Sequence, residues 1–349
     1  TGMTYWVRLD NEIERHRLMY ALLGVIQHQP ILRTQFVTDD INQLRVNIRE
    51  FFPFIEIKEI KESSKNLDIE VFFKNELNSY YFNQLPLFNF KIYQFLDDAY
   101  LLLDFHSTIF DESQFNDFLR QLNTAYAHSL CHEHSVSDFY NMIKEMNEET
   151  ELVAHQSKNF KVLNADHDNY AYMPVRNASE KKKMRSIYTP LSSLDVNQLI
   201  VSTYLANHFM SQSSEVTLGI HFPMEYEKED EMMLPNTSIA PLNMNIDQNA
   251  TVESIITECH KILEGFKKYG VSFVTQPKAE MLEIETMVHI ATVHQQFELN
   301  HICHHLNRLY SETSSLADLE IYPHVQGGFD LVYNCLLYTS PSPRDQRGS

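Results

Sequence analysis

The densest group of residues able to do chemistry lies in LLLDFHSTIFDESQFNDFLRQL (Leu101 to Leu122), where His106 and Ser107 precede Asp111 and Glu112. An imidazole titrates near neutral pH and can take or give a proton, whereas a hydroxyl donates and accepts hydrogen bonds without titrating usefully. Ser107 beside His106 does not read as a nucleophile and its base. Adjacent residues rarely hydrogen-bond in that way, and no Gly-x-Ser-x-Gly elbow surrounds the pair. Asp111, at the expected strand-to-helix turn, reads as a structural carboxylate held by backbone donors or an arginine, with Arg33 as a candidate partner. A second group, His289, His294, His301, His304 and His305 with Cys303, raises transition-metal ligation. In HICHH only His301 and His305 have helix-face spacing, and no carboxylate partner is specified, so no metal is expected and the segment reads as polar and partly exposed. Lys181, Lys182, Lys183 and Arg185 form the strongest basic run and read as a solvated loop. Met232 and Met233 read as packing residues.

The elements that must position these groups alternate between strand and helix. TYWVRL (Thr4 to Leu9) alternates as a strand, and Asp10 or Asn11 can cap a helix carrying Ile13, Leu18, Ala21, Leu22 and Val25, which Pro30 ends. Short strands are expected at 32–37, 43–48 and 54–60, then a helix at 67–81. Phe88 to Leu96 and Ala99 to Ser107 flank Asp97-Asp98 as a hairpin ending in a buried strand. An amphipathic helix follows from Ser113 to His128 through Phe115, Phe118, Leu119, Leu122 and Tyr126. More helix is expected from 136 to about 163. The polar stretch at 164–186 reads as a linker, after which the pattern restarts. Strands are expected at 187–190, 216–222, 240–246, around 287–299, at 319–322 and at 329–333, with helices at 193–210 and 252–267. Two α/β lobes result, 1–163 and 187–334.

Composition bounds the function. A formal charge of −19 over 349 residues disfavours a nucleic-acid partner, because phosphate binding rests on clustered Lys and Arg. With 43% hydrophobic and 12% aromatic residues the chain can bury a large core. No stretch has the length of a membrane span, and TGMTYWVRLDNE lacks a leader pattern, so a cytoplasmic location, no membrane association and a missing front end are expected. Cys131, Cys259, Cys303 and Cys335 lack the paired spacing of a disulfide framework. Frequent Asn, Ile, Lys and Tyr suggest an AT-rich bacterial genome. CLLYTSPSPRDQRGS (Cys335 to Ser349) breaks with everything before it and matches the translation of a transposase mosaic end and adapter used in sequencing libraries. Residues 335–349 are therefore expected to be foreign, with the natural chain continuing past Asn334.

QHQPILRTQF (Gln27 to Phe36) resembles an early motif of the condensation domains of nonribosomal peptide synthetases, Arg-His-Glu-x-Leu-Arg-Thr-x-Phe, through His28, Leu32, Arg33, Thr34 and Phe36. Leu101 to Leu122 sits where that family carries its active-site motif His-His-x-x-x-Asp-Gly. The run from Val216 to Leu263 resembles the family's strand, Pro-Leu strand, acidic turn and helix. GFDLVYN (Gly328 to Asn334) is similar to its later Lys-Phe-Asp-Leu strand. The resemblance implies two chloramphenicol-acetyltransferase-like lobes, each a mixed sheet covered by helices, arranged in a V around a tunnel.

It also implies a chemistry. A donor thioester and an acceptor amine arrive on the phosphopantetheine arms of two carrier domains, with no cofactor bound directly, and the amine attacks the thioester carbonyl. The implied site is His106, Ser107 and Asp111, with His28 and Arg33 as structural motif residues. His106 matches the first motif His and Asp111 the Asp, but Ser107 replaces the second His, which orients or deprotonates the amine, and Glu112 replaces the Gly. Ser238, Asn243 and Glu225 stand at further departures. Asp104 and Asp111 are spaced wrongly for the heterocyclising branch's Asp-x-x-x-x-Asp. The resemblance thus implies a catalytically impaired condensation domain, retained as a structural or carrier-docking module beside carrier and adenylation domains. The alternative is an active amide-forming acyltransferase that uses His106 or substrate positioning alone. Donor and acceptor identities are not readable.

Overall fold

The computed structural model describes residues 2–38, 44–50, 53–77, 80, 84–128, 137–141, 143–144, 184–190, 195–211, 216–223, 232–235, 237–244, 246, 249–269, 286–291, 296–310, 317, 319–324 and 327–334. Most of the helix expected at 136–163, the linker to residue 183, Glu225 and the tail at 335–349 lie outside them. In chain order the elements are β1 (Gly2–Leu9), α1 (Arg15–His28), a 3-10 turn (Pro30–Arg33), β2 (Thr34–Thr38), β3 (Leu44–Ile48), β4 (Glu56–Glu59), α2 (Ile69–Glu76), β5 (Phe88–Gln94), β6 (Ala99–His106) and α3 (Glu112–Ala127). They continue with β7 (Met184–Thr189), α4 (Val196–Ser211), β8 (Leu218–Pro223), β9 (Thr237–Leu242), α5 (Val252–Tyr269), β10 (Thr286–His289), β11 (Gln296–Leu299), β12 (Ile302–Leu309), β13 (Leu319–Pro323) and β14 (Phe329–Asn334).

Two compact units form. The first takes residues 1–147, 226–236 and 294–314, and the second takes 148–225, 237–293 and 315–349. Unit 1 holds a six-stranded sheet in the order β11-β12-β1-β6-β5-β4, antiparallel except where β4 runs parallel to β5. β2 and β3 form a separate hairpin. Period-two alternation sends Tyr100 and Leu102 to one face of the sheet, in a cluster with Phe73 of α2 and Tyr93. Leu103 and Phe105 turn to the other face, where Phe105 stacks on Phe110 at 3.8 Å and meets Phe118 of α3 at 5.1 Å. Burial on both faces explains why β6 reads as a continuous apolar run.

Two sequence expectations shift. Asp10 does not cap α1. Its carboxylate accepts from the Glu12 N–H at 2.9 Å in a turn, and the helix starts at Arg15 behind Glu14, whose side chain makes no cap bond. β12 was not expected as a strand, because ICHHLNRL carries polar residues at inward positions. His304 is nevertheless buried, and its Nε2 accepts from the Asp10 N–H at 3.3 Å. β11 and β12 join through Asn300 and His301, both at positive φ (53° and 62°), the turn that matches the twist of a two-residue hairpin.

The C-terminal end of α1 is tied down by Gln29. Its amide donates to Gln121 Oε1 of α3 at 2.8 Å, and its oxygen accepts from the Met233 N–H at 2.9 Å. One fully buried amide thus joins α1, α3 and the 232–235 segment.

Unit 2 holds the sheet β7-β14-β13-β10-β8-β9. β10 runs parallel to both β8 and β13, and the other pairings are antiparallel. α4 and α5 cover one face, packing Leu199, Tyr204, Ile255 and Leu263 against Leu218, Ile220, Phe222, Val288 and Ile321. The turn into β14 needs Gly328, whose φ is +85° and whose Cβ position lies 2.6 Å from the Thr189 carbonyl oxygen.

Gln29→Met keeps the volume but removes both amide bonds, leaving a buried acceptor and a buried N–H without this partner. The expected cost is about 1–3 kcal/mol. It is measured as a lowered urea midpoint in the fluorescence of Trp6, the single tryptophan.

Candidate active site

β6 lies between β1 and β5 and delivers His106 at its last residue. The pairing runs to the strand end, where Gly2 sits opposite His106. A Cβ at Gly2 would lie 2.9 Å from the Phe105 carbonyl oxygen, so the close approach at this end of the sheet depends on glycine. The turn at 107–110 then buries Ile109 and Phe110 and leads into α3.

Asp111 is the N-cap of α3. One carboxylate oxygen accepts from the Ser113 N–H at 2.9 Å and from the Ser113 hydroxyl, while the Gln114 side chain accepts from the Asp111 N–H at 2.8 Å. This reciprocal cap satisfies two of the N–H groups that a helix start leaves unpaired. The expected structural role therefore takes the form of a helix cap. Arg33 is buried at the end of the 3-10 turn, and His28 is the buried last residue of α1.

His106 is half-buried and its Nδ1 accepts from the Thr108 N–H at 3.1 Å. Burial lowers its pKa, which favours the neutral ring, and the occupied Nδ1 lone pair places that ring's proton on Nε2. Ser107 is exposed at the start of the turn.

Glu112, where the resemblance would have Gly, opens α3. Its Oε1 accepts from Arg308 Nη2 of β12 at 2.6 Å, with both side chains at most a tenth exposed. A carboxylate at a helix N-terminus also meets the positive end of the helix dipole. The Arg308 guanidinium stands over the rings of Tyr5 and Tyr310 at 5.8 and 5.1 Å. This ion pair was illegible in the sequence, since its partners are 196 residues apart.

Asp104, considered in the sequence only for its spacing to Asp111, takes part in the site through space. It lies two positions before His106, on the same face of β6. Its oxygens accept from Thr4 Oγ1 at 2.7 Å and from the Tyr80 hydroxyl, whose ring meets His106 edge-on at 5.7 Å. Burial pushes its pKa up to about 6, against the opposing effect of these two hydrogen bonds. The same burial, reinforced by the carboxylate, raises the Tyr80 phenol further above its ordinary range.

The described residues grouped for metal ligation belong to two different sheets. His289 ends β10 in unit 2, while His301, Cys303, His304 and His305 belong to the β11–β12 hairpin of unit 1, with His304 buried and Cys303 and His305 exposed. His294 lies outside the described residues. Ser238 lies in β9, and Asn243 accepts from the Tyr204 hydroxyl at 3.4 Å.

The family model for the condensation domain matches residues 2–184. No curated protein matches. Among solved structures, the chain is similar to the first condensation domain of the CDA synthetase at 12% identity and a TM-score of 0.75, over 97% of this chain and 86% of that one. It is similar to the starter condensation domain of the rhizomide synthetase RzmA at 13% identity and a TM-score of 0.73, over 99% and 87%. The epimerization domain from the third module of tyrocidine synthetase B is also similar, at 13% identity and a TM-score of 0.69, over 96% and 87%.

Asp111→Ala is expected to cost about 0.5–2 kcal/mol through the lost cap, with Asp111→Asn recovering most of it; urea unfolding of the two variants checks this. For Asp104 the folded chain holds a proton that the unfolded chain releases between about pH 4 and 6. Its contribution is therefore present below that window and lost as pH rises through it. Asp104→Asn should flatten the decline in the Trp6-monitored urea midpoint between pH 4 and 6.

Proposed function

Because the chain belongs to the condensation-domain family, whose general chemistry is amide-bond formation, we propose that it is a peptide-synthetase condensation domain with impaired catalysis. In this reading it is retained as a structural or carrier-docking module. The observation that carries the reading is Ser107, exposed at the start of the His106–Asp111 turn where the resemblance requires the second motif His. A serine hydroxyl does not take a proton from an attacking amine near neutral pH.

His106 does not replace it as it stands. The Thr108 N–H occupies Nδ1, so the neutral ring presents Nε2 as a donor and not as a base. The Asp111 cap holds the corner in shape, and Glu112, where the resemblance would have Gly, is held in an ion pair with Arg308. His28 and Arg33 are motif residues of structure in this reading.

Partners follow from the family. The proposed substrates are carrier-borne phosphopantetheine thioesters, the proposed neighbours are carrier and adenylation domains, and the proposed location is the cytoplasm. No described helix is long and apolar enough to cross a membrane.

The test loads donor and acceptor carrier domains and follows dipeptide formation by mass spectrometry. Wild type is expected to form product slowly or not at all, since a lost acid/base group removes roughly 10²–10⁴-fold. Ser107→His is expected to raise turnover, while Ser107→Ala and His106→Ala leave it unchanged. Robust wild-type product abolished by His106→Ala would overturn the impaired reading and make His106 the working base.

A further inference from the structure

The sheet of unit 2 is apolar on the side of α4 and α5, yet alternation sends a different set of residues to its opposite face. There β8 carries His221, β10 carries His289, and β13 carries Glu320 and Tyr322, each less than a tenth exposed. The parallel register sets His289 directly beside His221. Two titratable rings, a carboxylate and a phenol are costly to bury unless they satisfy one another or a ligand.

Their bonds run in one direction. Glu320 is held from outside, Oε1 accepting from the Ala317 N–H at 2.9 Å and Oε2 from the Tyr322 hydroxyl. Glu320 Oε2 also lies 3.1 Å from His289 Nε2, and Tyr322 stacks on the His289 ring at 3.8 Å. A carboxylate at Nε2 holds the ring proton there and bares the lone pair of Nδ1. That Nδ1 is aimed at a second imidazole nitrogen, His221 Nδ1, 3.0 Å away. A carboxylate behind one imidazole, with two imidazole nitrogens converging in front, is the order in which histidine metal ligands and their outer partners are built. Two nitrogens bound at about 2.0–2.1 Å to a tetrahedral ion stand roughly 3.3–3.4 Å apart, so the rings need to open by only a few tenths of an ångström.

We propose that His221 and His289 are two ligands of a divalent transition-metal site in unit 2, with Glu320 fixing the ring of His289 from the outer side and Tyr322 and the Ala317 N–H fixing Glu320. Imidazole donors select a borderline cation such as Zn²⁺ over Mg²⁺ or Ca²⁺. The proposal uses none of the His301–His305 run and does not depend on the reading of Ser107.

The experiment uses the full chain with accessible thiols alkylated and with His301→Ala and His305→Ala, which remove the exposed ligands of the β11–β12 hairpin. Zn²⁺ is titrated against a chromophoric chelator, and Co²⁺ is followed by its visible ligand-field absorption. One equivalent is expected to bind, with affinity lowered roughly 10–100-fold by Glu320→Gln and equimolar binding lost in His221→Gln and His289→Gln. Circular dichroism identifies any variant that fails to fold. Should His289→Gln fail, His221→Gln and the unaltered cluster still decide the question. Absence of one-equivalent binding in the parent, or binding that His221→Gln leaves unchanged, overturns the proposal and leaves an imidazole–imidazole hydrogen bond.

Discussion

The pairing of β6 between β1 and β5 is the constraint on which unit 1 depends. The strand is buried on both faces, so a one-residue slip would exchange Leu103 and Phe105 with Leu102 and Asp104 and carry the carboxylate into the aromatic cluster under α3. The registers on both sides therefore fix where β6 ends and which way His106 faces. Everything after the strand inherits that position. The turn can bury Ile109 and Phe110 only from this end point, and Asp111 then falls where its carboxylate reaches the first N–H groups of α3.

The corner separates scaffold from chemistry. Its scaffold is complete: Asp111 and Gln114 close a reciprocal cap, Gln29 joins α1 to α3, and Arg308 reaches from β12 to Glu112. At its start stand an exposed serine and a histidine whose Nδ1 accepts from the backbone Thr108 N–H. Buried ion pairs are costly to break from one side, so once Glu112 and Arg308 are paired each holds the other in place.

Unit 2 distributes polarity differently. One face of its sheet is a conventional apolar core, while the other buries a connected set of histidines, glutamate and tyrosine. Within it, burial alone would raise the pKa of Glu320, but hydrogen bonds from His289, Tyr322 and the Ala317 N–H outweigh that and hold it low. The ionised form thus contributes stability above the ordinary carboxylate range, and that contribution is lost as pH falls. The direction is opposite to that at Asp104, where burial outweighs the hydrogen bonds from Thr4 and Tyr80.

Local pattern made much of this protein legible before its coordinates. Strand alternation, the Pro30 stop, the Asp97-Asp98 hairpin and the amphipathic run of α3 are set by neighbours a few residues apart, and they led to two α/β lobes and to the corner bearing His106, Ser107 and Asp111. What the chain alone did not disclose depends on residues far apart in sequence. β12 escaped notice because His304 and Arg308 earn their burial from Asp10 and Glu112, partners on other elements. Asp104 gave no local sign of its elevated pKa, which arises from burial beside Thr4 and Tyr80. The histidine set that looked like one group by spacing was divided by the sheets, leaving His289 with His221 and Glu320. Periodicity reports which side of an element is buried, whereas only the tertiary structure decides which polar groups meet there, because hydrogen bonds and ion pairs act through distance in space.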